Sequence, residues 1–137
     1  MSIINTRALL KLAEEARASS YSPYSGITVG AALLTADGKV YTGANIENAS
    51  YSPTICAERV AFFKAINEGE RKFLAIAIAG GEAGCPSKAD FPPCGVCRQV
   101  MQEFCKADFA VIWGNDETHT VKTLSEIMPF SFDKSNL

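Results

Sequence analysis

The run FLAIAIAGG, residues 73–81, constrains this chain more than any other segment. It is short and apolar throughout, without the polar alternation of a strand that has one face in water. As a strand it therefore belongs inside a sheet, with cover above and below. The flanking pattern supplies that cover. Leu9, Leu10, Leu12, Ala13 and Ala16 follow Asn5 at helical spacing, which predicts an amphipathic helix over 6–18. SSYSPYSG breaks the pattern as a structured loop. ITVGAALLT reads as a largely buried strand, ADGK as a turn and VYTGANIEN as the hairpin partner. YSP closes that segment, and Thr54 is placed to cap a helix running from Ile55 to about Glu68. Beyond the central strand come a loop, EAGCPSKADFPP, and a helix from about Gly95 to Cys105. The strand FAVIWG, a polar turn holding NDETHT, and a short helix near KTLSEIM follow. The order α-β-β-α-β-α-β-α predicts an α/β fold, a mixed sheet with helices on both faces. A length of 137 residues suits one domain over the whole chain.

Apolar residues make up 47% of the chain and charged residues 20%, as in a compact folded protein rather than a disordered one. A formal charge of −2 without any run of Lys or Arg excludes a nucleic-acid polymer as partner, because backbone binding needs clustered cations to displace counterions. The N-terminal segment has no uninterrupted apolar stretch of the secretory kind, and the longest apolar run is too short to span a bilayer. The expected compartment is the cytoplasm. There the five cysteines, Cys56, Cys85, Cys94, Cys97 and Cys105, stay reduced and favour metal or catalytic roles over disulfides.

In PPCGVCRQV, Cys94 and Cys97 stand at i and i+3 at the start of a helix, where two thiols share one side and can share one metal ion. Cys56 also opens a helix, and a helix N-terminus favours a thiolate over a thiol. Three thiolates could hold Zn²⁺. A structural site would need a fourth protein ligand from Cys85, Cys105 or His119, whereas three ligands and an open position make the catalytic pattern. Glu58, two residues after Cys56, points about 200° away from it on the helix. The two therefore meet only off the helix end, where a carboxylate can take a proton from an activated water and hand it on. Three thiolates on Zn²⁺ leave excess negative charge. Arg59, at i+3 from Cys56, is placed to bond the ligand sulfurs and balance it.

CAE followed by PCGVC resembles the zinc-dependent cytidine deaminases, in the small homotetrameric form with three cysteine ligands. YSPYSGITVGAALLTADG is similar to that family's first strand region and TGANIENASY to its ribose-holding segment, so the resemblance runs over about residues 6–132. It implies a three-layer α-β-α sandwich with a mixed five-stranded sheet. It further implies one Zn²⁺ per chain on Cys56, Cys94 and Cys97, and hydrolysis of cytidine or 2′-deoxycytidine in pyrimidine salvage. On the same resemblance a water activated by that zinc would attack C4 of the cytosine, while Glu58 would protonate N3 and then the departing amine. By the same resemblance Asn45 and Glu47 bond the ribose hydroxyls, and a carboxylate there repels a phosphate, so a free nucleoside fits better than a nucleotide. The Ala57 N–H and the Tyr51 ring complete the pocket. Phe132, or less favourably Phe130, reaches a neighbouring subunit's site.

One position departs from the family pattern. An aromatic residue that packs on the pyrimidine is usual where this chain has Ile27, and losing that ring face costs about 0.5–1.5 kcal/mol of base affinity. Two other readings are a deaminase of a modified cytosine nucleoside such as blasticidin S, opposed by NIENAS, and a structural-zinc binding module. A redox role for CGVC is weaker still. Cys85 and Cys105 read as small buried hydrophobes, His119 as an exposed turn residue without a role, and Phe62, Phe63 and Trp113 as core.

Overall fold

The computed structural model describes residues 4–137. Helix α1 (Thr6–Ala16) begins at Asn5, whose side chain accepts from the Ala8 N–H at 3.0 Å. Strands β1 (Ile27–Thr35) and β2 (Val40–Ala44) form the hairpin. Helix α2 (Ala57–Asn67), strand β3 (Phe73–Glu82), helix α3 (Gly95–Phe104) and strand β4 (Ala110–Gly114) follow, then strand β5 (His119–Thr123) and the short helix α4 (Leu124–Ile127). The sheet order is β2-β1-β3-β4-β5; only β3 and β4 are parallel, so the sheet is mixed.

The central strand shows why there are three layers. In β3 the residues alternate between Ile76 and Ile78 on one face and Ala75, Ala77 and Ala79 on the other. The alanine face is thin, and Leu9, Leu10 and Ala13 of α1 settle closely on it. The isoleucine face is thick. It carries α2 through Ala57, Ala61, Phe62 and Ala65, and α3 through Cys97 and Met101. No helix among the described residues is long and apolar enough to cross a membrane.

Five local expectations change. The segment read as a polar turn around NDETHT contains a fifth strand, β5, paired antiparallel with β4. It is a half-exposed edge strand of polar and β-branched residues, so it lacks the apolar alternation that marks an inner strand. His119 is its first residue and is half-buried rather than exposed. Helix α2 starts at Ala57 with Cys56, not Thr54, as its N-cap residue. Ile46 and Ile55 exchange both backbone hydrogen bonds, at 3.0 and 2.9 Å, which keeps the chain extended through Ile55. Thr54 instead accepts the Asn48 N–H at 3.1 Å. Phe62 and Trp113 lie in the core as expected, but Phe63 is exposed, because neighbours on a helix point about 100° apart and only one can face the sheet. Cys105 packs against the core, whereas Cys85 is exposed in the loop after β3.

At Gly30 of β1 the sheet leaves no room for a side chain beneath α1. A Cβ there would lie 1.9 Å from the Ala13 carbonyl oxygen and 2.8 Å from the Arg17 nitrogen, both backbone atoms that cannot swing aside. Gly30→Ala is therefore expected to lower stability by about 1–3 kcal/mol, the range of an overpacked core. Urea denaturation measures it, and an unchanged midpoint would mean that α1 can lift off the sheet without cost.

Candidate active site

Two helix N-termini meet at the end of the sheet where β1 begins and β3 finishes. Cys56 is the N-cap residue of α2 and Cys94 that of α3; both have extended backbone (φ −78°, ψ 153° and φ −67°, ψ 164°), and neither uses its side chain as a cap. Their thiols are thus free to face one another, with Sγ atoms 3.7 Å apart. Cys97, one turn into α3, brings a third sulfur, and all three lie within 4.8 Å of each other. A tetrahedral zinc with bonds of about 2.3 Å would set its sulfurs about 3.8 Å apart, so this trio suits such an ion. No other group of three His, Cys, Asp or Glu ligand atoms this close occurs among the described residues, and Cys85, Cys105 and His119 do not join it. The donor set stops at three, which is the open pattern rather than the closed structural one.

Charge supports the same fit. The Cys97 thiol donates to Cys56 and Arg59 adds a further donor, so the Cys56 thiol is held down to about 5 against its own burial. Cys97 moves the opposite way: its bond to Cys56 and its burial hold its proton on. The Arg59 guanidinium reaches Cys56 Sγ through Nη2 at 3.5 Å, while its buried Nε finds no partner among the described residues. A partly buried cation beside three sulfurs is a counter-charge for thiolates, and the N-terminal ends of α2 and α3 add to it.

Glu58 is 4% exposed, at the second position of α2. Burial pushes its carboxyl up to about 7. It lines a cavity of about 370 Å³ together with Cys56, Cys94, Ile27, Asn45 and Glu47. That volume falls within the range of small-ligand clefts. Ala57 is buried at the first position of α2, where an N–H has no intrahelical acceptor.

The two polar residues of the hairpin end are already engaged. Asn45 Oδ1 accepts from the Ser20 hydroxyl at 2.5 Å and the Val29 N–H at 2.9 Å, and its Nδ2 donates to the Ile27 carbonyl at 2.9 Å. Glu47 Oε1 accepts the Tyr24 and Ser25 N–H groups at 2.9 and 3.1 Å, and Oε2 accepts the Ser25 hydroxyl. These bonds, that hydroxyl's first, hold the Glu47 carboxyl below its usual range. The carboxylate is half-buried.

The other expected residues lie elsewhere. Tyr51, with a left-handed backbone (φ 57°) and a side chain 74% exposed, lines an adjoining cleft of about 360 Å³ with Tyr24, Asn48 and the shared Ser25, Glu47 and Thr54. Phe132 is 59% exposed and Phe130 fully so, and neither lines the cavity of its own chain. Six wall residues fall outside the set expected from the sequence, and two of them, Ser25 and Phe91, bear on the site. Ser25 binds Glu47 from within PYSG, and Phe91 stands three residues before Cys94. The one signal for Phe91 is a single aromatic ahead of two prolines, in a segment whose composition reads simply as loop.

Comparisons with known proteins agree on one family. The sequence profile of the cytidine and deoxycytidylate deaminase zinc-binding region matches residues 4–113. The chain is similar to the cytidine deaminase of Halalkalibacterium halodurans, 47% identical over 135 residues that cover 98% of each. It is 40% identical to the probable cytidine deaminase of Dictyostelium discoideum over 127 residues, covering 91% of this chain and 82% of that one. Among solved structures, the cytidine deaminase from Burkholderia pseudomallei superposes with a TM-score of 0.85 at 42% identity, covering 94% of this chain and all of the other. A profile match over most of the chain, relatives at this identity along nearly their full length and a common sheet all coincide with the three-cysteine cluster; the chain belongs to the cytidine and deoxycytidylate deaminase family.

Proposed function

We propose that this protein hydrolyses the exocyclic amine of cytidine and 2′-deoxycytidine, giving uridine or 2′-deoxyuridine and ammonia, as a step of pyrimidine salvage. The observation that carries the reading is the placement of Glu58 beside three convergent cysteines, in a cavity that Asn45 and Glu47 also line. Cys56, Cys94 and Cys97 would hold one Zn²⁺ per chain, with Arg59 balancing the thiolate charge. Zinc bound there supplies a water whose pKa falls towards neutrality, and so a nucleophile for C4 of the base.

The remaining chemistry falls to side chains of this chain. Glu58 takes the proton of the attacking water and delivers it to N3, which makes C4 more electrophilic. It then carries the second proton to the amino nitrogen, so that the C4–N bond breaks with ammonia as leaving group. Its burial beside the cysteines suits the task, because a desolvated carboxyl gives and takes protons near neutral pH. The Ala57 N–H, free at the helix start, would bond the pyrimidine edge. Asn45 and Glu47 would hold the ribose, and the Glu47 carboxylate would reject a phosphorylated sugar. The ring of Tyr51, from the neighbouring cleft, would close the sugar end.

The assembly is a homotetramer on this reading, with Phe132 entering a neighbouring subunit's site, and the compartment is the cytoplasm. The exposure of Phe132, and its absence from its own cavity, leave it free for a partner. The segment around it is anchored, since Gln99 Nε2 donates to the Phe132 carbonyl at 2.8 Å and Gln102 Nε2 to Asp133 at 3.0 Å.

Glu58→Gln tests the chemistry. The variant is expected to keep its fold and one zinc per chain while kcat for cytidine, followed by ultraviolet absorbance, falls by at least about 10²-fold. Substantial remaining turnover would show that Glu58 is not the proton shuttle. Arg59→Gln tests the charge balance: competition with a chelator should show zinc affinity about 10–100-fold weaker with the fold intact. Light scattering then bears on assembly. A tetramer mass for the wild type, with turnover lost on Phe132→Ala while zinc is kept, fits a shared site; a fully active monomer does not.

A further inference from the structure

The apolar wall of the cavity has an occupant that the deaminase motif does not specify. Gly80 of β3 stands opposite Val29 of β1, on the face of the sheet that carries α2 and α3. A Cβ at Gly80 would lie 2.4 Å from Phe91 Cε1, 2.6 Å from Cδ1 and 2.7 Å from Cζ. One edge of the Phe91 ring therefore fills the space that a side chain at 80 would take. The ring comes from the loop between β3 and α3, which is held on both sides of it. The Lys88 N–H donates to the Gly80 carbonyl at 2.8 Å, and Arg98 Nε donates to the carbonyl of the buried Pro93 at 2.8 Å. With one edge seated on the glycine, the half-buried ring still lines the cavity beside Cys56, Glu58 and Ile27.

We propose that Phe91 is a substrate-binding residue whose ring forms the aromatic wall against which the pyrimidine packs, and that it replaces the ring absent at Ile27. The inference rests on the nucleoside reading above and goes beyond it, since it assigns base affinity to a loop residue outside both the cysteine motif and the ribose segment. Ile27 and Phe91 border one cavity, and a planar base gains from stacking or edge contact with a ring more than from an aliphatic branch. Gly80 belongs to the same device. It gives the ring a seat, and any larger residue there would push the ring out.

Steady-state kinetics of the zinc-loaded enzyme test the assignment. Phe91→Leu should raise KM for cytidine about threefold to tenfold, with kcat within about twofold of wild type. Competitive inhibition by uridine should weaken by the same factor, while any inhibition by free ribose, which has no base, should not move. Ile27→Phe added to Phe91→Leu should restore much of the lost affinity by supplying a ring from the other wall. Gly80→Ala, which keeps the ring but displaces it, should raise KM in the same direction, and it serves if Phe91→Leu does not fold. Unchanged KM and uridine inhibition in Phe91→Leu overturn the proposal, as does a loss of zinc or a fall in kcat alone, either of which would make Phe91 a structural residue. A wild-type enzyme that binds zinc but leaves cytidine unchanged overturns the nucleoside reading first, and this inference with it.

Discussion

The approach of the N-terminus of α2 to that of α3 is the constraint on which the site depends. A helix start presents N–H groups without acceptors and a partial positive charge, and two such starts at one point stabilise several thiolates together. Cys56 and Cys94 sit at the N-cap position of their helices without capping them, so each sulfur leaves along the helix end rather than across its flank. That direction resolves the spacing of Cys56 and Glu58, whose i, i+2 separation would set them on opposite sides of a helix. One residue precedes the helix and the other lies in its first turn, so both border one cavity.

The sheet decides where those helix ends arrive. Large and small residues alternate along β3, which makes one face thin enough for α1 to touch the backbone at Gly30 and the other thick enough for two helices. The chain reaches α2 from β2 and α3 from β3, so both helices start at the same end of the sheet, beside the beginning of β1. Open α/β sheets place ligands beyond the carboxyl ends of their strands for this reason. At that end the side-chain cover of the thick face stops, and Gly80, Phe91 and Ile27 line or support the cleft that remains.

Legibility in the sequence follows the physics of each segment. The central strand can be read as an unbroken apolar run, and the hairpin and the long helices because burial patterns their apolar residues between turn and cap signals. β5 cannot, because a half-exposed edge strand such as HTVKT has no apolar face to alternate. The shift of the α2 cap from Thr54 to Cys56 is also out of reach, since it depends on Ile46 pairing with Ile55, a contact between segments and not a property of either. The three cysteines and Glu58 are readable as a set because their residue types have few uses in common. Phe91 is not, for a phenylalanine in a proline-rich loop looks alike whether it fills a hole or faces a ligand. The missing side chain at Gly80 shows that it does the first, and its place in the cavity wall allows the second.

The hydrogen bonds of Asn45 and Glu47 bear on what the cavity can hold beside them. Both lone pairs of Asn45 Oδ1 are taken by Ser20 and Val29, and one N–H of Nδ2 by Ile27, which leaves a single donor. Glu47 has Oε1 filled by two N–H groups and Oε2 half filled by Ser25, which leaves a single acceptor direction. A lone donor and a lone acceptor lining one cavity match a hydroxyl, which accepts and donates at once. They mismatch a phosphate ester, which only accepts and would meet the carboxylate with like charge. Because these side chains are tied to β1 and the PYSG loop, their free valences are fixed in direction without a ligand. Binding a sugar there would cost little further ordering, and preference for a hydroxyl over a phosphate would follow from the internal bonds as much as from the carboxylate charge.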